Sequence, residues 1–113
     1  MAPRRSDPVN LLELKPLRII AWEKTGDGRI MLIYPKFQNR FLQKYLLPLL
    51  AKPNFRIRLD DYGSFIWQRC DGQTDVAQIA LEVRAEFGEK VEPVYERISM
   101  FLKRMQSEQF ISL

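Results

Sequence analysis

FRIRLDDYGSFIWQRCDGQ, residues 55–73, changes its periodicity halfway along. The first five residues alternate, so Phe55, Ile57 and Leu59 fall on one face of a strand and Arg56 and Arg58 on the other. Asp60 or Asp61 then offers a carboxylate to the unpaired N–H groups that open a helix. Phe65, Ile66 and Trp67 give that helix its apolar bulk, and Gly63 in its first turn permits close packing. Ile66 and Cys70 are four apart and share a face, so Cys70 reads as a small buried apolar residue rather than a reactive thiol. Asp71-Gly72 ends the helix.

Upstream, residues 1–15 read as a loosely held lead-in containing Pro3 and Pro8, and one domain fills residues 16–113. Residues 19–23, Ile-Ile-Ala-Trp-Glu, have the β-branched and aromatic content of a strand. Thr25-Gly26-Asp27-Gly28 is turn chemistry, and residues 29–34 supply the second strand of a hairpin that Pro35 ends. Residues 36–53 read as an insertion. Within it Asn39 can cap a helix on which Phe41, Leu42, Tyr45, Leu46, Leu49 and Leu50 share an apolar face, with Pro48 ending or kinking it near Leu47. Arg40, Gln43 and Lys44 take the polar side. Two uses stay open. The helix covers one face of the sheet, or it docks a partner or a membrane surface through Phe41, Tyr45, Leu46 and Leu49. Pro53-Asn54 reads as the turn into the strand.

Downstream, Thr74 or Asp75 caps a second helix with the stripe Val76, Ile79, Ala80, Val83 and Phe87, closed by Gly88. Pro93 sits in the first turn of a third helix, whose inward residues are Val94, Ile98, Phe101, Leu102 and Met105. Phe110-Ile111 closes the chain as a short extended piece.

The 113 residues suit one modest core, and 46% hydrophobic with 28% charged residues is an ordinary folded composition. There is no histidine, which excludes His-based acid–base catalysis, Ser-His-Asp triads and His-ligated metals. A lone cysteine excludes thiolate clusters and an internal disulfide, in keeping with a cytoplasmic location. No signal peptide or membrane span is legible. We therefore expect no catalytic residues, no metal and no cofactor. Asp60, Asp61 and Asp71 are acidic groups near turns, and capping explains them without an enzyme.

Three strands precede three helices, with one extra short helix inserted before the third strand. This predicts an α+β fold: a three-stranded antiparallel sheet followed by a three-helix, winged-helix-like bundle. Leu59-Asp60, Gly63-Ser64, Ile66-Trp67 and Asp71-Gly72, with Thr74, Val76, Gln78-Ile79, Phe87, and the ending Ile98, Phe101-Leu102, Met105 and Phe110-Ile111, resemble the pattern of the PqqD-like peptide chaperones, also called RiPP recognition elements. The resemblance is good from Leu59 to Leu113 and looser over the hairpin. It departs at Gln109, where a glycine is usual, and in the insertion, which compact members lack.

The resemblance implies a non-enzymatic protein that binds the leader segment of a ribosomally synthesised precursor peptide and presents it to a modifying enzyme, often a radical-SAM enzyme. It places the leader along the third strand, in a cleft against the third helix. The residues expected to contact peptide are then Phe55, Arg56, Ile57, Arg58 and Leu59 on the strand, and Arg97, Met100, Phe101 and Arg104 on the helix. Open strand edges bind extended peptides by main-chain pairing, and the same edge can mediate self-association into a homo-oligomer. The alternative is a winged-helix nucleic-acid-binding protein. Charge argues against it: residues 1–60 hold 12 Lys and Arg against 5 Asp and Glu, whereas residues 61–113, with the would-be recognition helix, hold 6 against 9. A third possibility, a structural adaptor docking a protein through the inserted helix, overlaps with the chaperone reading.

Overall fold

A computed structural model describes residues 10–36, 39–52 and 54–113. The first nine residues of the expected lead-in, Phe37 and Gln38 of the insertion, and Pro53 of the expected turn lie outside these. The chain divides into two compact units: Ile20–Ser64, and the residues before it together with Phe65–Leu113.

The first unit is a sheet with a short helical insertion. Strands β2 (Ala21–Lys24), β3 (Ile30–Pro35) and β4 (Asn54–Arg58) are antiparallel in that order, with Trp22 opposite Leu32 and Leu32 opposite Ile57. Between β3 and β4 lie α1 (Arg40–Tyr45), capped by the Asn39 side chain, and a 3-10 turn, Leu47–Leu49. Helix α1 ends at Tyr45, two residues before Leu47, near which Pro48 is expected to end or kink it. Pro48 has no N–H to continue the ladder and sits in the first residues of the tighter turn. The expectation that this segment covers the sheet is corrected: neither α1 nor the turn buries a residue. Phe41 and Tyr45 pack on each other instead, ring centroids 4.7 Å apart.

The second unit is helical, with a two-stranded ribbon that the sequence does not announce. Strand β1 (Leu17–Arg18) pairs with β5 (Ile111–Ser112), and Ile19 N–H donates to Phe110 O. Residues 17–19 therefore belong to this ribbon, and the first strand of the hairpin starts at Ala21 rather than at Ile19. Helix α2 (Asp61–Gln68) begins in the first unit and ends in the second. Its last carbonyls, of Trp67 and Gln68, accept from the Arg18 guanidinium at 3.1 and 2.8 Å, the cation expected at a helix C-terminus. Helix α3 (Val76–Phe87) is capped by Asp75, whose carboxylate accepts from Gln78 N–H at 2.8 Å. Helix α4 (Val94–Ser107) follows Pro93, which is its N-cap rather than a member of its first turn. The buried residues include Ile66, Trp67, Cys70, Ile79, Val83, Ile98 and Leu102. Residues 10–15 are built in as well: Leu14 O accepts from Val76 N–H at 2.9 Å, and Pro16 is fully buried.

Candidate functional site: the outer edge of strand β4

Strand β4 is paired on one side only among the described residues. Its register fixes which backbone groups face outward. Leu59 N–H donates to Ile30 O at 2.9 Å, so residues 59, 57 and 55 direct their peptide groups at β3. Asn54, Arg56 and Arg58 therefore direct theirs away from the sheet. A row of outward donors and acceptors at every second residue is the template an extended chain needs in order to pair.

The junction behind this edge is tied down residue by residue. Ile30 N–H does not reach Leu59 O; it donates to Ser64 Oγ at 2.9 Å, and Ser64 Oγ lies 3.4 Å from Leu59 O. The buried serine thus replaces the missing rung of the ladder where β4 ends. Asp60 caps α2, accepting from Gly63 N–H at 2.7 Å. At the other end of α2, Asp71 accepts from the N–H groups of Gln73 and Thr74, which hold its carboxyl below the usual range. Gly72 has φ +76°, and a Cβ there would lie 3.1 Å from Leu17 Cδ1. Burial of Cys70 pushes its thiol up to about 12. Every residue of the motif from Leu59 to Gly72 is explained by capping, turn geometry or burial, so the motif builds the site rather than lining it.

The two faces of β4 differ. On one, Phe55 stacks on Tyr34 with centroids 5.9 Å apart, and Ile57 is cross-strand to Leu32 and, one strand further, to Trp22. Phe55, at 49%, and Ile57, at 37%, remain exposed, while Leu59 at the inner end is buried. On the other face the arginines are engaged: Arg56 with Glu23 and Arg58 with Asp27. Asp27 is held down to about 2, first by the Thr25 hydroxyl, then by Arg29 N–H and Arg58. Alternation alone puts Arg56 and Arg58 on one face but does not reveal these partners: the register Glu23–Met31–Arg58 brings Glu23 onto the arginines' face, where it pairs diagonally with Arg56, and Arg58 is met by Asp27 from the β2–β3 turn. Trp22, Tyr34 and Asn54 also belong to this site and were not singled out from sequence, because their relevance depends on which strand lies beside which.

The residues expected on the third helix lie in the other unit. Arg97, Met100 and Arg104 form one exposed stripe of α4, spaced three and four apart, with Phe101 half-buried at its margin. Arg97 donates to Lys90 O at 2.6 Å. Met100 is 72% exposed and borders an open groove of ≈ 500 Å³ lined also by Leu11, Leu12 and Tyr95. Of the expected docking residues, Phe41, Tyr45, Leu46 and Leu49 are all exposed. Among the described residues no cluster of carboxylates or cysteine could hold a metal ion, and no helix is long and apolar enough to cross a membrane.

Over residues 52–111, more than half of the chain, the sequence matches the family model described as coenzyme PQQ synthesis protein D (PqqD). The matched residues carry β4, α2, α3 and α4 and exclude α1 and the β2–β3 hairpin. No curated protein and no solved structure matches the chain. The match spans the strand-to-helix junction and the three helices that follow it, and the chain belongs to the PqqD family, a family of precursor-peptide-binding proteins.

Proposed function

We propose that this protein binds the leader segment of a ribosomally synthesised precursor peptide by strand addition at the outer edge of β4, and presents it to a modifying enzyme. The observation that carries the reading is the outward set of backbone groups on Asn54, Arg56 and Arg58. Main-chain pairing supplies affinity that does not depend on sequence, and side chains on the two faces supply selectivity. Alternate leader residues meet Phe55 and Ile57 with Trp22 and Tyr34 behind them; apolar residues suit that face. The residues between them meet Arg56 and Arg58. An acidic leader side chain there exchanges with Glu23 or Asp27 rather than filling a vacant cation, so these arginines tune selectivity more than they drive binding.

The test uses the peptide recovered on the tagged chain from a lysate of its own host and identified by mass spectrometry. Amide exchange at Arg56 and Arg58 should slow when that peptide is bound. Arg56→Pro removes one outward donor at an edge position that tolerates proline, and should weaken binding about tenfold relative to Arg56→Ala. If the proline and alanine variants bind alike, and both amides exchange as in the free chain, strand addition at β4 is wrong. Met100→Glu reads the α4 stripe separately.

A further inference from the structure

We propose that α1 and the turn after it seat the protein on an anionic phospholipid surface. Phe41, Tyr45, Leu46, Leu49 and Leu50 are exposed, Leu49 at 78% and Phe41 at 66%. Contiguous apolar side chains of this size on a water-facing segment mark a surface that something else covers.

Charge identifies what covers it. Residues 36–52 contain Lys36, Arg40, Lys44 and Lys52 and no acidic residue. All four cations are exposed, and none forms an ion pair among the described residues. The arginines of the adjoining strand, by contrast, are each matched to a carboxylate of the hairpin. Protruding aromatic and leucine side chains rimmed by unneutralised lysine and arginine are the composition of an interfacial anchor, in which apolar side chains enter the acyl boundary and cations meet lipid phosphates. Shape agrees. A helix that fills a protein groove presents anchors over two turns or more. Here α1 has six residues and the chain then tightens at Pro48, so the exposed Leu46 and Leu49 lie beyond the helix rather than along a two-turn face of it.

The experiment is cosedimentation of the full chain with vesicles of phosphatidylcholine alone and of phosphatidylcholine containing phosphatidylglycerol. Binding is expected only with phosphatidylglycerol, and should fall as salt is raised. Arg40→Gln and Lys44→Gln should each weaken it about fivefold. Leu46→Glu with Leu49→Glu should abolish it, while the circular-dichroism spectrum stays that of the parent because both side chains are exposed. Absence of binding to the anionic vesicles at low salt overturns the proposal, and so does unchanged binding by the double glutamate variant. If light scattering shows the parent self-associated and that variant monomeric, a second copy covers the face and the lipid assignment falls.

Discussion

The unit Ile20–Ser64 and the unit containing Phe65–Leu113 are both rich in large apolar residues and use them differently. In the first, Ile30, Leu32 and Leu59 are buried, while Trp22, Phe41, Leu49 and Phe55 stay in contact with water. In the second, Trp67, Ile79, Ile98 and Leu102 are fully buried, and exposed residues such as Met100 and Leu81 are the minority. Large apolar side chains thus mostly fill the core in one unit and stay largely at the surface in the other. Single substitutions should separate the two uses.

The largest effect is expected at Trp67. Trp67→Ala should destabilise the chain by about 3–5 kcal/mol in urea unfolding, because a fully buried ring leaves a cavity that its neighbours fill only in part. Leu49→Ala, an apolar truncation in the other unit, should change stability by less than about 0.5 kcal/mol. Comparable losses at both positions would show that the exposed leucine takes part in folding, and the contrast between the units would fail.

Next in size is Ser64→Ala, which strands a buried peptide N–H at Ile30 and removes a donor from Leu59 O. The expected destabilisation is about 1–3 kcal/mol. It should be accompanied by faster amide exchange at Ile30, because the serine stands in for one rung of the ladder. A loss confined to a few tenths of a kcal/mol would mean that Ile30 and Leu59 close the rung directly once the serine is gone.

The helical unit was largely legible because a helix writes its buried face at fixed spacing. Val76, Ile79, Ala80, Val83, Val94, Ile98, Leu102 and Met105 are all buried as their period requires. The Asn39 cap was legible for the same local reason, and the other two were narrowed to neighbours: of Asp60 and Asp61 it is Asp60 that caps, and of Thr74 and Asp75 it is Asp75. The β1–β5 ribbon was not, since two-residue strands carry no period and their partners are nearly the whole chain apart. The site was half legible. Alternation gave the two faces of β4, but the direction of its peptide groups depends on one bond, Leu59 N–H to Ile30 O, and the occupancy of Arg56 and Arg58 depends on carboxylates some thirty residues away.

Gln109 gives a smaller test within the folded unit. It has φ +63°, the left-handed region, and ends α4 with Phe110 N–H donating to Met105 O and its own N–H to Gln106 O. That is the geometry of a glycine-terminated helix, with glutamine in the place of the glycine. Gln109→Gly should raise stability by about 0.5–1 kcal/mol, relief of the left-handed strain outweighing the larger freedom of glycine in the unfolded chain. Gln109→Ala should bring no such gain, since alanine keeps the strain.

The smallest expected change in stability, and the most informative about the open unit, is at Asp27. Its carboxyl is lowered from 3.8 to about 2 in the folded chain. A carboxyl lowered on folding stabilises the fold above its ordinary value, and that contribution is lost as pH falls through the folded one. The melting temperatures of the parent and Asp27→Asn should therefore differ by a constant small amount from pH 5 to 8, and converge between pH 4 and 2. The same substitution releases Arg58 from its partner at the β4 edge. If Arg58 tunes selectivity there, Asp27→Asn should tighten binding of a leader with an acidic residue facing Arg58, and leave a neutral leader unaffected. A uniform change in affinity for both leaders would assign the effect to the hairpin's rigidity rather than to the arginine's charge.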